Sequence, residues 1–183
     1  KGMVVIAGGE MNDATGTSTD KVYAAVINED GSLGPWQAQA PFPDGAVNPG
    51  VRQNYALTAY TNIDTNTTFI YAIGGQARFF VSYTVSNQVL KAVVQPNGTI
   101  TEWVEEAPMP LNPPPGISVD CMPRVGLKDH GAANFDVLTT NGDKRILAVL
   151  GGFVELGPGS HSPFCPNLAS DATSRTMPAE IEQ

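Results

Sequence analysis

A short apolar run closed by two glycines occurs three times in this chain, and it constrains the fold more than any other feature. The copies are MVVIAGG (3–9), FIYAIGG (69–75) and ILAVLGG (146–152). Each run is too short for a helix and rich in β-branched or aromatic residues. Because glycine needs no room for a Cβ atom, each copy predicts a buried strand that ends against a close neighbour.

Other features return at nearly the same spacing as the first two glycine pairs. KVYAAVINEDG (21–31) returns as QVLKAVVQPNG (88–98), and Trp36 returns as Trp103. At the slightly wider spacing of the next repeat, NYALTAY (54–60) returns as DHGAANF (129–135). Such periods indicate a repeat architecture, in which one unit of strands buries its faces by stacking on the next.

One whole unit predicts four antiparallel strands, at residues 55–60, 69–73, 89–94 and around 100–104. Asn97-Gly98 between the last two is a strong hairpin signal. Four antiparallel strands per repeat make a β-propeller blade, so the predicted fold class is all-β. We expect a single propeller segment, with a partial blade at 1–43, a complete blade at 44–110 and a partial blade with long loops at 111–183.

The chain resembles the kelch-repeat β-propeller family over roughly residues 3–153. The glycine pairs, the aromatic Tyr23 and the two tryptophans carry the resemblance. The chain departs from the family in the longer spacing between Tyr23 and Trp36, in Leu90 at the second aromatic position, and in units longer than about 50 residues. Because propellers have about four to eight blades, we expect the remaining blades to come from further sequence or from another chain.

Composition excludes several classes of partner. Glycine and proline make up 34 of 183 residues, which is typical of strands joined by many turns. The net charge is −8 and no Lys/Arg cluster exists, so we expect no nucleic-acid binding. The longest apolar runs are about half a membrane span, which predicts no transmembrane segment. The sequence begins at Lys1 without a signal peptide, and we expect a processed protein or an internal fragment.

Basic side chains are the first candidates for a site. His161 lies in GSHSPFC without a second His or a carboxylate at ligand spacing, so we predict no metal and no cofactor. Arg52 and Arg124 precede the inner strands of their blades, near the mouth of the central channel. An arginine there can bind a carboxylate through two hydrogen bonds. The alternative is that each arginine binds loop carbonyls.

Two sequons and two cysteines bear on localisation. Asn66 and Asn97 begin the N-glycosylation patterns NTT and NGT. With the cysteines and an acidic, lysine-poor surface, they indicate an extracellular or cell-surface protein, with the periplasm as the alternative. In an up-and-down blade, the loop entering strand one and the loop after strand two emerge on the same side. Cys121 and Cys165 lie in these two loops of the third unit, so we predict a disulfide between them.

The same alternation of strand direction places the long loops on one side of the blades, at residues 10–20, 44–54, 76–87, 111–129 and 153–174. The short turns and both sequons fall on the other side. Because binding residues usually lie on loops held by a rigid scaffold, we predict a binding or scaffold module. Its long-loop face would contact a protein or carbohydrate partner through Arg52, Arg78, Phe79, Phe80, Arg124 and His161. Alternatively, these loops pack on one another as ordinary coverings.

A propeller enzyme acting on sugars, either an oxidase or a sialic-acid-modifying enzyme, is the alternative function. Galactose oxidase, which is built on kelch blades, uses Tyr, His and Cys around copper, and no such set assembles in this sequence. Asp30 and Gly31 are adjacent, unlike the Asp and Gly of sialidase turns, so this segment predicts a plain hairpin. We therefore predict no catalytic residue and favour a role that is not enzymatic.

Overall fold

The structure is a computed structural model that describes residues 2–10, 17–43, 52–79, 82–109, 125–137, 144–156 and 179–182. These residues form antiparallel strands and contain no helix, so the all-β prediction is confirmed. Within these ranges, no helix is long and apolar enough to span a membrane.

Three main sheets follow the order of the repeats, with strands numbered along the chain. The first sheet has the order β1 (Met3–Ala7), β2 (Val22–Val26) and β3 (Gln37–Ala38). The second has the order β4 (Ala56–Asn62), β5 (Thr67–Ile73), β8 (Val89–Val94) and β9 (Val104–Glu106). The third has the order β11 (Gly131–Val137), β12 (Lys144–Leu150) and β14 (Ala179–Glu182).

The second sheet is the four-stranded antiparallel unit that the sequence predicts, with one correction. The predicted outer strand at 100–104 is instead β9, which begins at Val104 and pairs with Lys91. At Thr101 only one backbone hydrogen bond to Val93 forms, from Thr101 N to Val93 O at 2.9 Å, because Val93 N donates instead to the hydroxyl of Thr101 at 2.9 Å. Ile100 pairs with Val94 through an isolated β-bridge that is not part of β9.

Two short sheets lie within the predicted long loops, which is a second correction. One is the hairpin of β6 (Gln76–Phe79) and β7 (Ser82–Val85), and the other pairs β10 (Val125–Lys128) with β13 (Phe153–Leu156). Strands of four residues show too little periodicity to be predicted. β10 precedes β11 and β13 follows β12, so the pairing of β11 with β12 brings β10 and β13 together. β10 lies beside both β6 and β7, so the described parts of these loops pack on one another.

The first and second sheets pack face to face around Phe42. Its ring centroid lies 4.8 Å from that of Trp103 and 5.5 Å from that of Tyr55, both in edge-on geometry. Trp103 Nε1 donates to Ala40 O at 3.1 Å. The buried core between the sheets consists of Val22, Ala24, Phe42, Ile70, Ala72, Leu90, Ala92, Ile100 and Trp103. Residues 39–42, which follow β3, therefore cover the face of the second sheet.

The second and third sheets meet at their first strands. β11 lies beside β4, and Asn134 Nδ2 donates to Thr58 Oγ1 at 3.0 Å and to Ala59 O at 2.7 Å. Each repeat thus stacks on the one before it, as the sequence periods predict.

Candidate functional site

A short segment at residues 52–55 crosses from the first sheet to the second and bonds to both. Arg52 N donates to Thr19 O at 3.1 Å, and Arg52 O accepts a hydrogen bond from Gly9 N at 2.6 Å. Gln53 exchanges two backbone hydrogen bonds with Gln76, at 2.8 and 2.9 Å. This crossing segment therefore joins the glycine pair of one repeat to the glycine pair of the next.

The crossing segment explains why the repeats need glycine. A Cβ atom on Gly8 would lie 2.5 Å from Arg52 O, and one on Gly75 would lie 2.6 Å from Tyr55 Cβ. Both glycines also have positive φ, 57° and 89°, a conformation that side chains disfavour. The prediction that each glycine-closed strand ends against a close neighbour is confirmed for these two copies.

The side chain of Arg52 is buried between the two sheets, with 2% of its surface exposed. Its Nη1 donates to Gly74 O at 3.2 Å, and its guanidinium carbon lies 5.9 Å from the centroid of the Phe42 ring. Burial lowers the pKa of Arg52 to about 10, while the negative charge of Glu105, and that of Tyr55 when it is ionised, acts in the opposite direction. Arg52 therefore stays cationic near neutral pH while it binds a loop carbonyl. Its proposed role towards a ligand stays a prediction.

Tyr55 completes the contact between the sheets. Its hydroxyl donates a hydrogen bond to Ala7 O, at the end of β1, and its ring packs edge-on against Phe42. Burial raises the pKa of Tyr55 above its usual value, and the positive charge of Arg52 opposes this shift. The tyrosine therefore stays neutral and fixes the second sheet against the first.

A cleft of about 500 Å³ opens between these two sheets at the end where the short turns lie. The first sheet contributes the start of β1 and the end of β2, and the second contributes its two turns. The lining residues are Gly2, Met3, Val26, Asn66, Thr68, Val94, Gln95, Pro96, Asn97 and Gly98. The lining combines amide and hydroxyl groups with the apolar side chains of Met3, Val26, Val94 and Pro96, and none of these side chains is ionisable. Such a surface suits an uncharged polar ligand.

Both sequon asparagines lie at this cleft. Asn66 is exposed in the turn between β4 and β5 with a φ of 51°, and Asn97 is exposed in the turn after β8. Asn97 Oδ1 accepts a hydrogen bond from Thr99 N at 3.0 Å, which fixes that turn. A glycan on either asparagine would therefore stand at the rim of the cleft.

The residues predicted for the long-loop face are only partly described. Arg78 and Phe79 lie in β6, opposite Tyr83 and Ser82 of β7. Phe80, Arg124 and His161 lie outside the described residues, as do both predicted disulfide cysteines, Cys121 and Cys165. The structure therefore leaves these site predictions as predictions.

Sequence reasoning did not find the cleft, although one signal for it was present. Asn66 and Asn97 both lie in turns that the alternation of strands places on the same side. The sequence did not show that Gly2 and Met3 of the first sheet lie beside these turns, so that a cleft forms between the two sheets.

Metal-ligand geometry is not found in the part of the chain that the structure describes. No three His, Cys, Asp or Glu residues there stand close enough together to hold an ion. In comparisons with known proteins, no protein-family model and no curated protein matches the sequence.

Proposed function

We propose that this chain is a binding or scaffold module built from kelch-like β-propeller blades. The observation that carries the proposal is the crossing segment at 52–55, which is hydrogen-bonded to both neighbouring sheets and fixes their relative position. A rigid frame of stacked sheets that presents loops is a common basis for binding. The repeated glycine pairs and the two tryptophans support the kelch-like part of the proposal.

The proposed contact surface is the long-loop face, and the proposed partner is a protein or a carbohydrate. The sequence offers Arg78, Phe79, Phe80, Arg124 and His161 there. Arg52, which the sequence also places on this face, is buried between the first two sheets. Arginine and aromatic side chains are enriched at the energetic centres of interfaces. The hairpin of β6 and β7 supports this surface, because it places Arg78 and Phe79 on a paired strand.

The cleft at the opposite end is a second candidate surface, for a neutral carbohydrate. Its volume of about 500 Å³ lies within the range of small-molecule sites. The amide of Gln95 and the hydroxyl of Thr68 can both donate to and accept from sugar hydroxyls. The absence of charge among the lining side chains favours a neutral sugar over an acidic one.

We also propose an extracellular or cell-surface location. Support comes from the exposure of Asn66 and Asn97 on turns. Mass measurement of the native protein before and after glycosidase treatment tests this proposal. An unchanged mass from a source that glycosylates its secreted proteins would contradict it.

The test of function is binding to an array of neutral and acidic oligosaccharides. Two double variants are compared, Arg78→Ala with Phe80→Ala on the long-loop face, and Thr68→Val with Gln95→Ala in the cleft. If the long-loop face binds, the first variant loses at least tenfold in affinity without a lower melting temperature, and the second binds normally. If the second variant loses affinity and the first binds normally, the ligand is assigned to the cleft. Absence of binding to every oligosaccharide overturns the carbohydrate proposal.

A further inference from the structure

Among the residues that the structure describes, Asn97 is the one asparagine that precedes a glycine. Its side chain is exposed in the turn after β8, and its Oδ1 accepts a hydrogen bond from Thr99 N at 3.0 Å. Gly98 lies between these two residues with a φ of 86° and carries no side chain that would hinder approach to its backbone nitrogen. The hydrogen bond folds the Asn97 side chain over the Gly98 peptide, so the side-chain amide carbon lies beside that nitrogen.

The same hydrogen bond makes the amide carbon of Asn97 more reactive. A backbone N–H that donates to a carbonyl oxygen stabilises the negative charge that develops on this oxygen when a nucleophile attacks the carbon. Thr99 N is such a donor to Asn97 Oδ1. The side-chain amide is thus both oriented and polarised for attack by the adjacent peptide nitrogen.

The equivalent turn of the first repeat already carries an aspartate. Asp30 stands where the second repeat has Asn97, and the glycine that follows Asp30 has a φ of 83°. Asp30 Oδ1 accepts a hydrogen bond from Ser32 N at 3.0 Å, which matches the bond at Asn97 in its length and in the position of its donor. The two side chains therefore hold the same place in the same kind of turn.

The backbone of the two turns agrees as well. Asn28 N donates to Ser32 O at 2.8 Å in the first turn. Gln95 N donates to Thr99 O at the same distance in the second. Hydrogen bonds from the Ser32 side chain and backbone lower the pKa of Asp30, so the first turn stabilises an ionised carboxylate. An aspartate at position 97 would therefore fit the second turn without a change of backbone.

We propose that Asn97 is a site of spontaneous deamidation, which converts the turn of the second repeat into the Asp-Gly turn of the first. The Gly98 nitrogen loses its proton to hydroxide and forms a bond to the amide carbon of Asn97, and the bond from this carbon to the amide nitrogen breaks. The amide nitrogen takes a proton from water and leaves as ammonia, so that a cyclic succinimide remains. Water then opens the ring at one carbonyl to give an aspartate, or at the other to give an isoaspartate.

One hydrogen bond controls how fast the reaction starts. Gly98 N donates to Gln95 O at 2.8 Å, so this bond must open before the nitrogen can attack. Exposed turns open locally at a small cost in free energy. The reaction therefore proceeds in the folded chain, and it becomes faster as the pH rises, because hydroxide removes the proton from the nitrogen.

Deamidation would change the cleft between the first two sheets. Asn97 lines this cleft, whose lining side chains carry no charge, and the product would bring a carboxylate to it. The product also lacks the sequon that begins at Asn97, and a glycan on the Asn97 amide would in turn block the reaction. Glycosylation and deamidation are thus alternative fates of one side chain. The effect on a ligand rests on the proposed function, whereas the deamidation itself does not.

The experiment follows the mass of each asparagine peptide while the folded chain, made in a host without N-glycosylation, is kept in mildly alkaline buffer. The peptide with Asn97 should gain the mass that separates a hydroxyl from an amino group, severalfold faster than the peptide with Asn66. Asn66 lines the same cleft, but it precedes Thr67, whose branched side chain hinders the nitrogen. Peptide mapping separates Asn97 from Asn141, the other asparagine that precedes a glycine.

Two variants at the same position are the matched controls. Asn97→Gln keeps an amide but moves its carbon one bond further from the Gly98 nitrogen, so it should show no mass gain there. Asn97→Asp is the product itself and should melt at the temperature of the native chain, because Asp30 holds the equivalent turn.

Two results would overturn the proposal. The first is a folded chain in which Asn97 gains mass no faster than Asn66, whether or not the same peptide reacts in urea, because the turn would then protect Asn97. The second is a lower melting temperature of Asn97→Asp, which would show that the second turn does not accept an aspartate. Neither readout involves a ligand, so failure of the oligosaccharide test leaves this result independent.

Discussion

The backbone N–H of Asp129 donates a hydrogen bond to Asn54 O at 2.9 Å, and the two residues have nearly the same positive φ, 54° and 56°. They occupy equivalent positions in successive repeats, just before β11 and β4. Asn and Asp tolerate this left-handed conformation better than most residues. The second and third sheets therefore begin with the same turn, and the two turns are bonded to each other.

Arg52 should stabilise the fold through Gly74. We expect Arg52→Met to lower the free energy of unfolding by about 1–3 kcal/mol, because it removes a charged donor from a buried carbonyl. Urea unfolding measures the change. The control is Lys91→Met, which removes a partly exposed ion pair with Glu106 and should cost less than about 1 kcal/mol. Equal effects of the two variants would contradict the role given to Arg52.

Replacing Gly75 with Ala should lower the stability of the fold more than replacing Gly31 does. Gly75→Ala and Gly31→Ala both place a side chain at positive φ, 89° and 83°, which costs about 1–2 kcal/mol. Only the alanine at position 75 also meets Tyr55 Cβ at 2.6 Å, which adds about 1–3 kcal/mol of overpacking. Thermal unfolding of the two variants gives the difference directly, and a smaller loss at Gly75 than at Gly31 would refute the close approach.

Tyr55 should make stability depend on pH in the alkaline range. Its pKa is raised in the folded state by burial, so the folded chain holds this proton more tightly than the unfolded chain does. The stabilisation is complete below about pH 10, the usual tyrosine pKa, and is lost as the pH rises above it. Unfolding between pH 8 and 11 should show a steeper fall for the native chain than for Tyr55→Phe. Parallel curves would show that Tyr55 does not titrate differently on folding.

Cys121 and Cys165 should form a disulfide, which the sequence predicts from the side on which their loops emerge. The bridge would close the long stretch between the two cysteines and stabilise the chain by about 3–4 kcal/mol in the chain-entropy model. Alkylation without reductant should leave the mass unchanged, and alkylation after reduction should label two thiols. Labelling before reduction would show two separate thiols.

Local patterns in the sequence were sufficient for the main strands. The apolar runs before Gly8, Gly74 and Gly151 predicted β1, β5 and β12, because a glycine-closed β-branched run has few other structures. The short strands β10 and β13 were missed, since each has only four residues and its partner is distant in sequence. Long-range pairing of this kind is a property of the folded chain, not of a local window.

The site was harder to predict than the fold. Arg52 was placed correctly before an inner strand, but its hydrogen bond to Gly74 O depends on the position of another loop. The cleft beside Asn66 and Asn97 depends on the distance between the first and second sheets, and that distance cannot be predicted from the sequence of a single repeat. Trp36 and Trp103 look identical in the sequence, yet their exposure differs, because among the described residues only Trp103 is covered, by Ala40 and Phe42.

The crossing segment at 52–55 has a consequence for how the chain unfolds. Gly9, Thr19, Gly74 and Gln76 all bond to Arg52 or Gln53, so neither of the first two sheets can open without breaking hydrogen bonds of the other. In a linear array of repeats, strong coupling between neighbours makes the transition cooperative instead of sequential. We therefore expect the first two sheets to unfold as one cooperative unit, although they are separate in hydrogen-bonding topology.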